Sequence, residues 1–243
     1  MQENIYQIAG HIVGIASLHD DVQKLCNGYC SEAAPEFWVR MTEEDIVAER
    51  ERANRTDRNE GRIPQNYPDG YLETLAVYRK LTEQLLEYGI FLMHGSVVAV
   101  DGKGYLFTAK SGTGKSTHTR LWMQLFGDRA MMINDDKPLI EVHESGVLVY
   151  GTPWDGKHHR STNCCVPLKA ICKIDRGEKN KVTPIEKKEM YPVLLQQIYR
   201  PATQAGVVKT LELIEKMTHQ VKLYQLHCNM QPEAASVAYE GMQ

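Results

Sequence analysis

Two short apolar runs flank Gly10 in NIYQIAGHIVGIAS, a pattern that predicts a hairpin. Val22, Leu25, Cys26 and Tyr29 then recur at helical spacing, so a short helix is expected over about residues 20–30. Alternation in EFWVRM (36–41) predicts a strand. Thr42 stands where a helix N-cap would, ahead of EEDIVAERERANR, with acids in the first turn and arginines late, as the helix dipole favours. TDRNEGRIPQNYPDG is polar and rich in breakers, which predicts a loop or a domain boundary. The mixed-sign charge over 43–62 reads as a solvated face.

From Tyr71 the pattern sharpens. Leu72, Leu75, Ala76, Leu81, Leu85 and Leu86 mark an amphipathic helix stopped at Gly89. IFLMHGSVVAV reads as one buried strand, DGKG as a turn, and YLFTA as the next strand. A loop (110–115), a helix (116–126) and the strand AMMIN follow. A hairpin turning at Glu144-Ser145-Gly146, a strand VPLKAICKI, two helices flanking Pro201, a strand VKLYQLHC and a closing helix PEAASVAYEG complete the chain. Hairpins beside a strand–loop–helix unit predict an α/β fold with a mixed sheet. The division expected is a small α+β N-terminal portion (1–70) and a phosphate-loop domain (71–243).

The chain has 243 residues, 42% hydrophobic and 24% charged, enough for a sizeable core. A net charge of -3, with no nucleic-acid motif, argues against a nucleic-acid partner. No apolar run reaches bilayer length, and the N-terminus lacks the order of a signal peptide. A cytoplasmic protein is expected, with its six cysteines as free thiols. Cys26 and Cys30 fit a buried helix face, and the adjacent Cys164 and Cys165 would face opposite sides of a strand, so cysteine is not expected to bind metal.

The chemistry concentrates in LFTAKSGTGKSTHTRLW. A nucleotide's phosphates need several backbone N–H groups aimed at them. Gly112 and Gly114 let the backbone approach, and the following helix adds its positive end. Lys115 supplies a charge to the β and γ oxygens, and Ser116 a hydroxyl to magnesium. The expected nucleotide-binding stretch is Ala109, Lys110, Ser111, Gly112, Thr113, Gly114, Lys115, Ser116 and Thr117, with Lys115 taken as an exposed loop residue. Alanine is tolerated at 109 if its φ stays negative. In MMINDDKP a strand leads to Asp135 and Asp136. One acid suffices for a metal, and a second could take the proton of an attacking hydroxyl. His94, in LMHGS, would by itself read as structural.

Together, MHGSVVAVDGKGYLFTAKSGTGKST…MMINDDKP resembles the catalytic domain of the HPr kinase/phosphorylase family and, more distantly, the nucleotide core of phosphoenolpyruvate carboxykinases. The match is best over about 91–140. In that family's pattern the small residue leading the loop can be alanine. The resemblance implies a mixed-sheet core of that type, with catalytic roles for His94, Lys115, Asp135 and Asp136. Asp136 is placed with Ser116 on the metal, although the sequence leaves the division between the two acids open. The first 70 residues do not resemble the N-terminal domain of true HPr kinases, so the chain reads as an atypical member.

YGTPWDGKHHRSTN (150–163) also departs from true HPr kinases and is similar to the Gly-Thr-Pro-Trp loop of HPr-kinase-like proteins. Trp154, Asp155, Lys157 and Arg160 are its candidate acceptor-binding residues. The expected function is phosphoryl transfer from a magnesium nucleotide to a hydroxyl, on a protein serine or on a small molecule such as a free amino acid. The donor is ATP or another nucleotide, ADP or pyrophosphate; a reverse phosphorylase activity and a homo-oligomer are left open. The alternative is a nucleotide-binding regulatory module without turnover.

Overall fold

A computed structural model describes residues 1–110 and 112–243. The chain falls into two compact units, Met1–Gln84 and Leu85–Gln243.

The first unit opens with the expected hairpin, β1 (Gln2–Ile8) and β2 (His11–Ser17), turned at Ala9 and Gly10, both at positive φ. Consecutive positive φ values suit the twist of a two-residue hairpin. Helix α1 (Asp20–Leu25) is shorter than expected and continues as a 3-10 turn over Asn27–Tyr29. Cys26, Val22 and Tyr29 are buried. Strand β3 (Phe37–Arg40) pairs parallel to β2. Thr42 caps α2 (Glu43–Asn59) in a reciprocal box with Asp45. This helix runs further than its sequence suggested, because Asp57 turns inward and accepts from Arg62 Nε and Nη2 at 3.0 and 2.8 Å.

Helix α3 (Asp69–Leu85) was expected to belong to the second domain, but the division falls at its far end. Buried polar pairs explain this. Glu73 accepts from the Leu18 and His19 amides at 2.6 and 2.9 Å, and Arg79 holds buried Glu49 through two nitrogens at 2.7 and 3.0 Å. Buried charges need such partners, and these tie α3 to the hairpin and to α2.

The second unit is a nine-stranded mixed sheet with helices on both faces. Its elements are β4 (Ile90–Leu92), β5 (Ser96–Val100), β6 (Lys103–Thr108), α4 (Lys115–Phe126) and β7 (Ala130–Asn134). They continue with β8 (Leu139–His143), β9 (Gly146–Tyr150), β10 (Cys165–Arg176), β11 (Lys181–Pro184), α5 (Lys187–Gln197), α6 (Gln204–Gln220), β12 (Lys222–Cys228) and α7 (Glu233–Gly241). The order is β4-β8-β9-β10-β6-β5-β7, with β12 beside β10 and β11 beside β12. The run IFLMHGSVVAV forms two strands instead of one. Between β4 and β5, the Met93, His94 and Gly95 amides bond to Pro138, Gln197 and Asp136 carbonyls and leave the ladder. β11, too polar to announce itself, was not foreseen.

Alternate residues of the central strands face opposite cores. Val97, Leu106 and Ile171 pack with Met190 and Leu194 of α5 and Ile214 and Met217 of α6. Val98, Phe107 and Cys172 pack with Trp122 of α4 and Ala235 and Ala238 of α7. The sheet curls so that the ends of β7 and β9 meet. Gly151 makes this approach feasible, since a Cβ there would lie 2.0 Å from the Thr162 carbonyl oxygen and 2.6 Å from that of Ile133. No helix among the described residues is long and apolar enough to cross a membrane. All six cysteines are free.

His118 on α4 makes stability depend on pH. Its Nε2 accepts from Trp122 Nε1 at 3.0 Å, while Nδ1 has no partner among the described residues. Burial pushes its pKa down to about 4. An unfolded histidine titrates near ~6.5, so the unfolded chain binds this proton more readily than the folded one. The contribution is fully present above that unfolded value and is lost as pH falls through about 4. The expected loss is on the order of 3 kcal/mol. Urea unfolding between neutral pH and pH ~4 should show this decline flattened in His118→Gln; parallel curves would clear His118 of it.

Candidate active site

Strand direction decides where the candidate residues gather. β6 and β10 run parallel, β5 is antiparallel to β6, and β7 is antiparallel to β5. The carboxyl ends of β6, β7 and β10 and the start of β5 therefore share one edge. The loop over 109–114, Asp135–Asp136, Arg176 and His94 lie at those ends. Ligands bind at this edge in α/β sheets generally.

The loop is a tight turn in which Thr113 N and Oγ1 donate to the Lys110 carbonyl at 3.2 and 2.8 Å. Gly112 and Gly114 have φ of 75° and 124°, so conformation demands glycine there. A Cβ would meet nothing at either position, so crowding does not. Ala109 is buried at the end of its strand without positive φ. Ser111 lies outside the described residues. Thr117 follows Ser116 in the first turn of α4.

Lys115 is buried, contrary to its expected exposure. Its Nζ donates one long bond, 3.3 Å, to the Ala109 carbonyl. Burial lowers its pKa, with Asp136 and Asp135 opposing the shift.

Arg176 reaches the loop from the end of β10, donating to the Gly112 and Thr113 carbonyls at 2.7 and 3.4 Å. It holds the outward carbonyls of a turn whose N–H groups would face a phosphate. Arg176→Ala is expected to weaken nucleotide binding roughly 3–10-fold, with Arg176→Lys restoring only part, since an ammonium lacks the fork. Equal dissociation constants in the three proteins would show the clamp to be idle.

The two acids have different surroundings. Asp135 is buried, and its Oδ1 has no hydrogen-bond partner among the described residues. It lines a cleft of about 80 Å³ with Ser116, Thr117, Arg120, His158 and Arg160. Asp136, expected with Ser116 on the metal, pairs with Lys137 Nζ and lies 3.3 Å from His94 Nε2. His94 Nδ1 faces Gln197 Oε1 at 2.8 Å. Burial, followed by Lys115, lowers the His94 pKa, while Asp136 opposes the shift. With Nδ1–H donating to Gln197, Nε2 and the Asp136 carboxylate attract each other only when they share a proton.

Asn134, not singled out from sequence, organises this corner. Its Oδ1 accepts from the Asp136 and Lys137 amides at 2.9 and 2.7 Å, and its Nδ2 donates to the Thr152 carbonyl and hydroxyl, both at 3.0 Å. The loop after β9 is thereby tied to the acids. Gly156, at φ 77°, sits where a Cβ would be 3.1 Å from Asp136 Cβ. Of the loop's candidates, Arg160 lines the cleft, Trp154 and Asp155 are buried, and Lys157 is exposed and not among the lining residues. Burial raises the Asp155 pKa, against bonds from Ser161 and His159. Arg120 was missed, although it lies four residues after Ser116, on the same helical face, and His158 is one of the two loop histidines whose role the sequence left open.

No group of three or more His, Cys, Asp or Glu able to hold a metal occurs among the described residues. The unpartnered Asp135 oxygen beside Ser116 suits a magnesium ion that takes its remaining ligands from phosphate and water.

None of the curated proteins matches the chain. The chain is similar to the Hpr(Ser) kinase/phosphatase from Coxiella burnetii, with 11% identity and a TM-score of 0.32 over 61% of this chain and 94% of that one. A family model described as SynChlorMet cassette protein ScmC matches residues 71–234, more than half of the chain. The chain belongs to the ScmC family of SynChlorMet cassette proteins.

Proposed function

We propose that the protein is a magnesium-nucleotide-dependent phosphotransferase acting on a hydroxyl acceptor. The observation that carries this reading is the convergence on one sheet edge of the β6–α4 loop, a buried carboxylate with one oxygen unpartnered among the described residues, and a His–Asp pair. A nucleotide-binding module would need the first of these and has no use for the last. The resemblance of the same residues to HPr kinases points the same way.

In this reading the N–H groups of the loop and α4, with Lys115, bind the donor's phosphates. Ser116 and Asp135 hold magnesium, which supplies charge neutralisation on the phosphate oxygens. Asp136 takes the acceptor's proton as its oxygen attacks the γ phosphorus, and His94 shares that proton across the 3.3 Å contact. The bond to the β–γ bridging oxygen breaks, and the diphosphate leaves.

A mass-resolved screen tests this, with candidate acceptors offered ATP, ADP, GTP and pyrophosphate as donors. The expected result is one acceptor gaining a phosphoryl group with equal loss of donor. A donor that binds but is consumed neither by an acceptor nor by water would favour the regulatory module.

A further inference from the structure

We infer that Arg120, His158 and Arg160 form an oxyanion subsite for the acceptor, so that the hydroxyl substrate also carries a carboxylate or phosphate. This rests on the phosphotransfer reading above. The three side chains come from two segments, α4 and the loop after β9, and line one cleft with Ser116 and Asp135. Some arginines are matched to carboxylates, as Arg79 is to Glu49 and Arg129 to Asp101. Among the described residues neither Arg120 nor Arg160 has an ion pair or a hydrogen bond. Two guanidiniums beside one cleft repel each other, and an oxyanion between them turns that repulsion into attraction. Guanidinium forks suit the planar carboxylate and the phosphate alike.

Position assigns the subsite to the acceptor. The donor's phosphates already have the loop amides, Lys115 and Ser116. Arg120 lies a full turn further along α4, beyond the N–H groups that are free at the helix start. The cleft, of about 80 Å³, has room for an anionic group. Asp135 lines the same cleft, and the loop carrying His158 and Arg160 packs Gly156 on Asp136. An acceptor anchored by its anion would thus present its hydroxyl beside the two acids.

The test uses the full chain and an Arg120→Gln, Arg160→Gln double variant, each saturated with magnesium and a non-hydrolysable ATP analogue to fill the γ position. Inorganic phosphate is titrated in one arm and succinate in the other, read by ligand line broadening in NMR. Saturable binding of at least one probe is expected, weakened about tenfold or more in the double variant, as loss of charge-assisted bonds implies. Analogue affinity should change less than about twofold. The probe bound more tightly identifies the oxyanion class. Absent probe binding, equal binding by both proteins, or a tenfold loss of analogue affinity in the variant would overturn the subsite. Failure of the wild-type chain to bind the analogue at all would remove the phosphotransfer reading, and the subsite with it.

Discussion

Asp136→Asn is expected to slow phosphoryl transfer by about 10²–10⁴-fold while binding magnesium nucleotide as the wild type does. The asparagine keeps the size of the side chain and cannot accept the acceptor's proton. Its partner is also affected, because the His94–Asp136 contact at 3.3 Å depends on a shared proton. Asp135→Asn should fail differently. Asp135 has an oxygen unpartnered among the described residues and lines the cleft with Ser116, so its loss should abolish the magnesium dependence of nucleotide affinity. Transfer rates on an identified acceptor and nucleotide titrations with and without magnesium separate the two. Wild-type rates in both variants would remove the catalytic assignment, and interchanged phenotypes would reverse the roles.

Lys115→Ala should weaken ATP, ADP and GTP binding at least about tenfold, the value of a charge-assisted bond to phosphate of roughly 1.5–3 kcal/mol. Burial makes the interpretation less direct than for a surface lysine, because alanine also removes a packed aliphatic stem. Lys115→Met keeps most of that stem and lacks the charge. If the charge matters, both variants lose nucleotide affinity by similar factors, while methionine retains more of the thermal stability. Equilibrium dialysis and thermal melts give the two readouts. Unchanged nucleotide affinity in the methionine variant would mean that Lys115 is a packing residue.

What the sequence made legible was local. The Ala9-Gly10 hairpin, the Thr42 cap and the glycines of the β6–α4 loop each follow from conformations settled within a few residues. The loop and the Asp-Asp pair could be read because their chemistry is written in adjacent positions. The split of 90–100 into β4 and β5 was hidden, because both strands are buried on both faces and only His94-Gly95-Ser96 breaks the apolar run. Asn134 and Gln197 were invisible for another reason, and Arg176 could be named as an arginine able to reach the phosphates but not placed. Each acts across a contact between segments far apart in sequence, such as Arg176 on Gly112. Arg120 had a usable signal in its helical spacing from Ser116. For α3, the burial of Glu49 and Glu73 outweighed the polar loop as a guide to the division, and buried acids cannot be told from exposed ones by pattern alone.

Calorimetric titration of the wild-type chain with ATP, in magnesium and in a chelator, tests the central claim most directly. The expected result is one saturable site per chain whose affinity rises with magnesium, as Ser116 and Asp135 together imply. Absence of binding in both conditions, or binding indifferent to magnesium, would contradict the assignment of the β6–α4 loop and Asp135 to a magnesium nucleotide.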